Sequence, residues 1–209
     1  GLIGGYPDHV EYVLDIIGLR EGVNTPAAMN LLITAQGPLF FCDTDINADP
    51  SAEEIADIAL LAAEEVARFV PPKVALLSHS SFGSHGSPQV WKMADALQRI
   101  RQRAPALEVE GEMRGDAALS EELRNRVFLH SRLKGAANLL IMPNIDAANI
   151  AHNLLKEVTH SVSVGPIMLG LAQPAHILTR SATARRIINM TAIAAVDAQA
   201  NATHRTRRG

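Results

Sequence analysis

The chain has 209 residues, enough for one large domain or two small ones, and its aliphatic make-up (47% hydrophobic but only 4% aromatic) suits a layered α/β fold. A formal net charge of −3 argues against a general nucleic-acid surface. The single cysteine, Cys42, excludes an internal disulfide, and no apolar run reaches the ~18 residues that a membrane helix needs.

In chain order, Val10, Val13, Leu14 and Ile17 share one face, so a helix is predicted from Pro7 to Gly18. The runs 31–34 and 39–42 read as two strands joined tightly through Gln36-Gly37-Pro38, as in a hairpin. A polar loop, 43–50, follows. Asp49 is the expected cap of the next helix, with Pro50 at its first position and Glu53 and Glu54 complementing its dipole. That helix is expected to reach Phe69, where Pro71-Pro72 stops it. Val74 to Leu77 is a continuous apolar strand of the kind buried on both faces. It opens into the Gly/Ser loop 78–87, and Pro88 starts a helix with Val90, Met93, Leu97 and Ile100 inward.

A weaker strand is predicted over 107–111, a helix over 116–127, and a buried strand over 138–142, ended by Pro143. Asp146 is expected to cap a helix carrying Ile150, Leu154, Leu155 and Val158. Val162 to Leu169 is the last strand. The last helix, 183–200, is apolar around most of its surface, so it is expected to be buried or to pack on a partner, as in a homodimer or a higher homo-oligomer. Strands alternating with helices imply a largely parallel sheet covered on both faces, with ligands at the carboxyl ends of the strands. The loops 78–87, 143–149 and 170–182 leave such ends.

Three segments carry candidate chemistry. Ser78, Ser80, Ser81 and Gly83 offer hydroxyls and flexible amides that can cradle phosphate, although such loops are often plain connectors. Asn144 and Asn149 stand in a strand-end loop, where they either hold a ligand or close turns. Thr179, Ser181 and Thr183 can cap the last helix, and Arg180, Arg185 and Arg186 add charge where amides already favour anions. Glu112 and Asp116 could do acid/base work, but the simpler reading has Asp116 capping a helix and Glu112 answering Arg114. No triphosphate P-loop, HExxH or CxxC pattern is present, and no metal site is expected in the eight histidines.

Gly165-Pro-Ile-Met-Leu-Gly170, Pro174 and Leu178-Thr-Arg180 resemble the last signature of phosphate acetyl/butyryltransferases, roughly G-P-I-L-Q-G-L-x-x-P-x-x-D-L-S-R-G. Leu133 to Asn149 resembles that family's G-K-A-N-x-x-x-x-P-x-L-x-x-G-N, with Lys134 offset by one and Ala148 in place of a glycine. Glu110 to Leu119 resembles its D-G-E-L-Q-x-D-A-A-L. His79 and Phe82 in the Gly/Ser loop, and His176-Ile-Leu-Thr179, are closer to the C-terminal phosphotransacetylase-like domain of bacterial NADP-dependent malic enzymes. The resemblance implies a three-layer αβα sandwich with a mostly parallel sheet, related to the isocitrate and isopropylmalate dehydrogenases. It also implies a domain spanning 1–202, cut at its N-terminus from a longer cytoplasmic chain, with 203–209 as a disordered basic tail.

In that family a Ser-Arg pair supports acyl transfer, and an aspartate six residues beyond the arginine is held to be the base. Those positions are Thr179, Arg180 and Arg186 here, and an arginine cannot accept a proton at neutral pH. Tyr6-Pro-Asp-His9 stands where the family carries H-S-T. The resemblance therefore implies a regulatory domain that binds acetyl-CoA or a related acyl-CoA and is not itself catalytic. The parent would be a malic enzyme turning malate into pyruvate, with NADP and a divalent metal held by catalytic domains elsewhere in the same chain. An active phosphate acetyltransferase and a purely structural dimerisation module are the alternatives.

Overall fold

The strands are β1 (Ala27–Thr34), β2 (Gly37–Cys42), β3 (Lys73–Leu77), β4 (Glu108–Met113), β5 (Leu139–Ile141) and β6 (Val162–Leu169). They form one mixed sheet in the order β4-β3-β5-β2-β1-β6. Neighbours from β4 to β2 are parallel, and β1 is antiparallel to both β2 and β6. Five strands therefore point one way and share one carboxyl edge. The structure, a computed structural model, describes residues 3–206, with side chains through Gln199.

The helices are α1 (Tyr6–Ile17), α2 (Ala52–Val66), α3 (Pro88–Arg103), α4 (Gly115–Leu119), α5 (Glu121–Val127), α6 (Ile145–Val158) and α7 (Ala184–Thr206). Side chains alternate across each strand, so adjacent apolar residues feed opposite cores. Phe40 and Leu139 pack with Ile55, Ile58, Met93 and Ile100 of α2 and α3. Phe41 and Leu140 pack with Ala117, Ala118 and Ala148 of α4 and α6. Burial on both faces is the reason these strands read as unbroken apolar runs. The three layers expected from the sequence are present. A smaller cluster joins Val10 of α1 to Met168 and Ile177.

Several local expectations are corrected. Ser51, not Asp49, caps α2: its hydroxyl accepts the Glu54 N–H, and the Glu54 carboxylate accepts the Ser51 N–H in return. Asp49 pairs instead with Lys92 at 2.6 Å. Asn144, not Asp146, caps α6 by accepting the Ala147 N–H at 2.9 Å. The helix predicted over 116–127 is broken at Ser120, whose hydroxyl accepts the Leu123 N–H and starts a separate helix. β1 begins four residues before the predicted strand, because the polar Asn30 in its middle finds partners in Thr44 and Asp45.

The last helix departs from expectation in burial. In this single chain, the buried side chains among those described on α7 are Met190 and Asp197, while Ile187, Ile188 and Val196 are exposed. The helix runs past Ala200 to Thr206, and 207–209, the end of the expected tail, lie outside the described residues.

Arg124 of α5 is fully buried. Its terminal nitrogens donate to the carbonyls of Ala117 at 2.9 Å, Leu133 at 2.9 Å and Gly135 at 2.7 Å. One guanidinium thus joins the end of α4 to the segment that leads into β5. Arg124→Met keeps much of the volume but strands those carbonyls, at about 1–3 kcal/mol each. Urea unfolding should show a loss of about 3 kcal/mol or more. An unchanged midpoint and slope would refute this role.

Candidate functional site

A cleft of about 280 Å³ opens where α6 crosses β1 and β6. Asn30 of β1 and Asp45 of the loop after β2 form one wall. Asn149, His152, Asn153 and Lys156 of α6 form a second, and Ser163 and Pro166 of β6 with Arg186 of α7 close the third. Gly165 has φ of +133°, and a methyl group there would come within 2.5 Å of the Asn30 side-chain oxygen and 2.9 Å of the Met29 carbonyl. Only glycine lets β6 approach Asn30 this closely.

The Asp45 wall is set by its neighbour Asp43, which is 4% exposed. The Asp43 carboxylate accepts the backbone N–H groups of Ala28 at 3.1 Å, Asp45 at 3.0 Å, Ile46 at 3.3 Å and Asn47 at 2.9 Å. The Asn47 amide also donates to it. Burial raises the Asp43 pKa, while the hydrogen bonds from Asp45, Asn47 and Ala28 pull it back down. In the turn so formed, Asn30 donates to Thr44 at 2.8 Å and to Asp45 at 3.1 Å.

The α6 wall follows helical spacing. Asn149, His152, Asn153 and Lys156 lie at i, i+3, i+4 and i+7 on one face. Asn153 donates to the Asn149 side chain at 2.9 Å and accepts from Lys156 at 3.1 Å. His152 meets the Ser163 hydroxyl at 3.1 Å and the edge of Phe41. Burial first, then the charges of Lys156 and Arg186, push the His152 pKa down to about 4. Burial alone favours the neutral imidazole, and the two cations act in the same direction. Arg186 Nε donates to the Gly165 carbonyl at 2.7 Å. That bond fixes the guanidinium and leaves both terminal nitrogens without an acceptor among the described residues. The buried Tyr6 hydroxyl has no hydrogen-bond partner among the described residues, and its pKa is raised by burial, then by Asp45 and Asp43, with Arg186 opposing.

Of the site residues predicted from sequence, the cleft brings together Asn149 and Arg186. Asn144 is occupied as a cap. Thr179 and Ser181 share a hydroxyl contact at 3.0 Å in the turn before α7, and Arg180 and Arg185 are exposed. Ser78, Ser80, Ser81 and Gly83 lie in the loop after β3, outside the cleft lining. Their loop is internally satisfied. The Ser80 N–H donates to Ser78, that of Ser81 to Ser84, that of Phe82 to the Glu112 carbonyl, and that of His85 to Ser80. The buried Glu112 carboxylate accepts the Gly83 N–H at 3.1 Å. The cradle already holds an anion, its own, and Arg114 pairs with Asp116 rather than Glu112. Asn30, Asp45, His152, Asn153, Lys156 and Ser163 were missed by sequence reasoning. The polar stripe on α6 was the signal that could have found four cleft residues. No group of three or more His, Cys, Asp or Glu residues that could hold a metal occurs among the described residues. No described helix is long and apolar enough to cross a membrane.

A sheet of this order with a cationic cleft between α6, β6 and α7 defines a class, and residues 1–195 match the family described as phosphate acetyl/butaryl transferase. The chain belongs to that family. It is 51% identical over 201 residues to the NADP-dependent malic enzyme of Salmonella typhimurium, a match covering 95% of this chain and 26% of that protein. It is 36% identical over 204 residues to the phosphate acetyltransferase of Paracoccus denitrificans, covering 94% of this chain and 64% of the relative. A crystal structure of a phosphotransacetylase from Streptococcus pyogenes superposes with a TM-score of 0.90 at 32% identity, over 95% of this chain and 61% of that one. The chain thus spans about a quarter of the malic enzyme it matches.

The electrostatics can be tested directly. In an NMR titration, His152 should stay neutral through the physiological range and titrate near pH 4. Its folded pKa lies below the ordinary 6.5, so its contribution to stability is present above 6.5 and is lost as pH falls toward 4. Arg186→Met should move the midpoint upward by removing one cation. A midpoint unmoved in Arg186→Met would show that this guanidinium does not act on His152.

Proposed function

We propose that this domain is the acyl-CoA-responsive regulatory module of a malic enzyme and does not itself transfer acyl groups. The observation that carries this reading is Arg186. By the family resemblance it stands where the base aspartate belongs, and its guanidinium faces the cleft beside Lys156. An arginine there cannot take a proton from an attacking thiol, but it can bind an anionic group with two parallel hydrogen bonds. The Asn149 side-chain amide, whose oxygen accepts from Asn153, adds an uncharged donor beside it.

The 51% identity to a malic enzyme, against 36% to a phosphate acetyltransferase, supports a parent that oxidatively decarboxylates malate to pyruvate. NADP and a divalent metal would belong to catalytic domains outside this chain. Acetyl-CoA is the effector we assign, acting as an allosteric inhibitor, and reciprocity requires that the parent's substrates alter its affinity in turn. The exposed apolar side chains Ile150, Leu154 and Val158 on α6 and Ile187, Ile188 and Val196 on α7 support a homodimer or a higher homo-oligomer. A cytoplasmic location fits the free, buried Cys42.

Calorimetric titration with acetyl-CoA, followed by an assay for acetyl phosphate, tests the proposal. The domain should bind acetyl-CoA and form no acetyl phosphate from it and inorganic phosphate. Arg186→Ala should lose about 1.5–3 kcal/mol of binding, the range for a charge-assisted hydrogen bond, which is roughly a ten- to a hundredfold weaker Kd. Turnover on the order of 10 per second would mark an ordinary enzyme and reverse the reading.

A further inference from the structure

A second set of buried charges lies away from the cleft, where α7 meets α2. One apolar side chain, Met190, and one carboxylate, Asp197, are what α7 buries among its described residues. Asp197 Oδ1 accepts from Arg68 Nη1 at 2.5 Å, and the same nitrogen lies 3.1 Å from Glu65 Oε2. Asp197 Oδ2 faces His176 Nε2 at 3.4 Å. His176 Nδ1 accepts the Met168 N–H at 3.2 Å. A backbone N–H can only donate, so a neutral His176 carries its proton on Nε2, toward the carboxylate. Four side chains therefore join α2, the end of β6, the segment after it and α7.

Two carboxylates share one guanidinium in this cluster. Burial, then the charge of Asp197, raises the Glu65 pKa from 4.5 to about 7, with Arg68 opposing. Glu64 adds a smaller push and is itself paired with Arg20 on the outer side of α2. Burial pushes Asp197 upward as well, but His176, Arg68 and Glu65 outweigh it and hold that carboxyl low. Asp197 is therefore the carboxylate that ionises first.

We propose that Glu65, Arg68, His176 and Asp197 form a proton-operated latch that seats α7 on α2 and so positions Arg186 in the cleft. Its functional consequence rests on the reading of Arg186 given above, while the latch itself rests on the α2–α7 contact. With Glu65 protonated, its O–H serves Asp197, and the Arg68 guanidinium faces one carboxylate anion instead of two. With Glu65 ionised, a second buried negative charge faces Asp197 across a single guanidinium, and the seat weakens. The folded pKa of Glu65 lies above its ordinary value, so the stabilisation is complete below 4.5, declines across the window, and is lost above about 7.

The test follows amide hydrogen exchange on α7 in the full chain, as protection factors corrected for intrinsic rate, at about pH 5.5 and about pH 8, beside calorimetric titration with acetyl-CoA. Linkage from the Glu65 shift predicts a roughly ten- to thirtyfold loss of α7 protection between those two pH values. Glu65→Gln should hold protection high and flat. Asp197→Asn removes the neighbouring anion and should move the midpoint to lower pH. Acetyl-CoA affinity should fall with rising pH in the parent and stay level in Glu65→Gln. Protection that does not change with pH, that falls equally in Glu65→Gln, or whose midpoint is unmoved in Asp197→Asn overturns the latch. If the protection changes as expected but acetyl-CoA binds at neither pH, the latch stands and the reading of the cleft fails.

Discussion

The carboxylate of Asp43 is the constraint on which the cleft depends. Three backbone N–H groups in the tight loop after β2, and a fourth on β1, would each cost free energy if buried without an acceptor. One side chain collects them, and its first partner, Ala28, lies on the neighbouring strand. The Thr44 N–H in turn donates to the Ala28 carbonyl at 3.0 Å. Together these bonds lock the start of β1 to the loop after β2. Asn30, two residues on, is thereby held against Thr44 and Asp45. With Asn30 fixed, β6 can pass closely only through Gly165, and the carbonyl of Gly165 then receives Arg186. The chain of dependence runs from one buried carboxylate to a guanidinium that lines the cleft.

The layered fold was legible in the sequence, since a sheet covered on both sides demands apolar strands. The Gly/Ser loop was harder to read, for a physical reason. Its composition is that of a phosphate cradle, but Glu112, 29 residues from Gly83, reaches back to satisfy it. A contact between β4 and a loop after β3 depends on the sheet order, which composition does not encode. The 43–47 loop was hidden for the same reason: polar residues look alike whether they are solvated or gather buried amides. The α6 stripe was readable in principle. The apolar series at 150, 154 and 158 drew attention instead, and those side chains face outward in the single chain.

Helix α6 buries Ala148 and His152, while Asn149 and Asn153 line the cleft with their side chains still exposed, and three large apolar side chains, Ile150, Leu154 and Val158, are exposed as well. An ordinary amphipathic helix leaves fewer apolar side chains in water. The polar side chains at the cleft are held by one another rather than by a packed core. Asn149, Asn153 and Lys156 satisfy one another along the helix, and Ser163 serves His152. Ala148 and Leu155, on the remaining side, still reach the apolar core under the sheet.

Charge is handled in contrasting ways at the two places that α7 touches. In the cleft, Lys156 and Arg186 stand beside a histidine held neutral by burial first and by these cations second. On the α2 side, Arg68 is shared between Asp197 and Glu65, and burial with the Asp197 charge raises the Glu65 pKa. The first arrangement lines an open cleft and the second is closed around itself. Among its described residues α7 fully buries one apolar side chain, Met190, worth about 1.5–3 kcal/mol, with Ile193 packed partly against the same core, so little hydrophobic free energy holds it. The placement of its first turn therefore depends on polar contacts, the Arg186–Gly165 bond near its start and the Asp197 cluster toward its far end. Under the proposed regulatory role, an anion entering the cleft would add to the first set of contacts, and proton loss at Glu65 would subtract from the second. Ligand and proton would then act on the same helix from opposite ends.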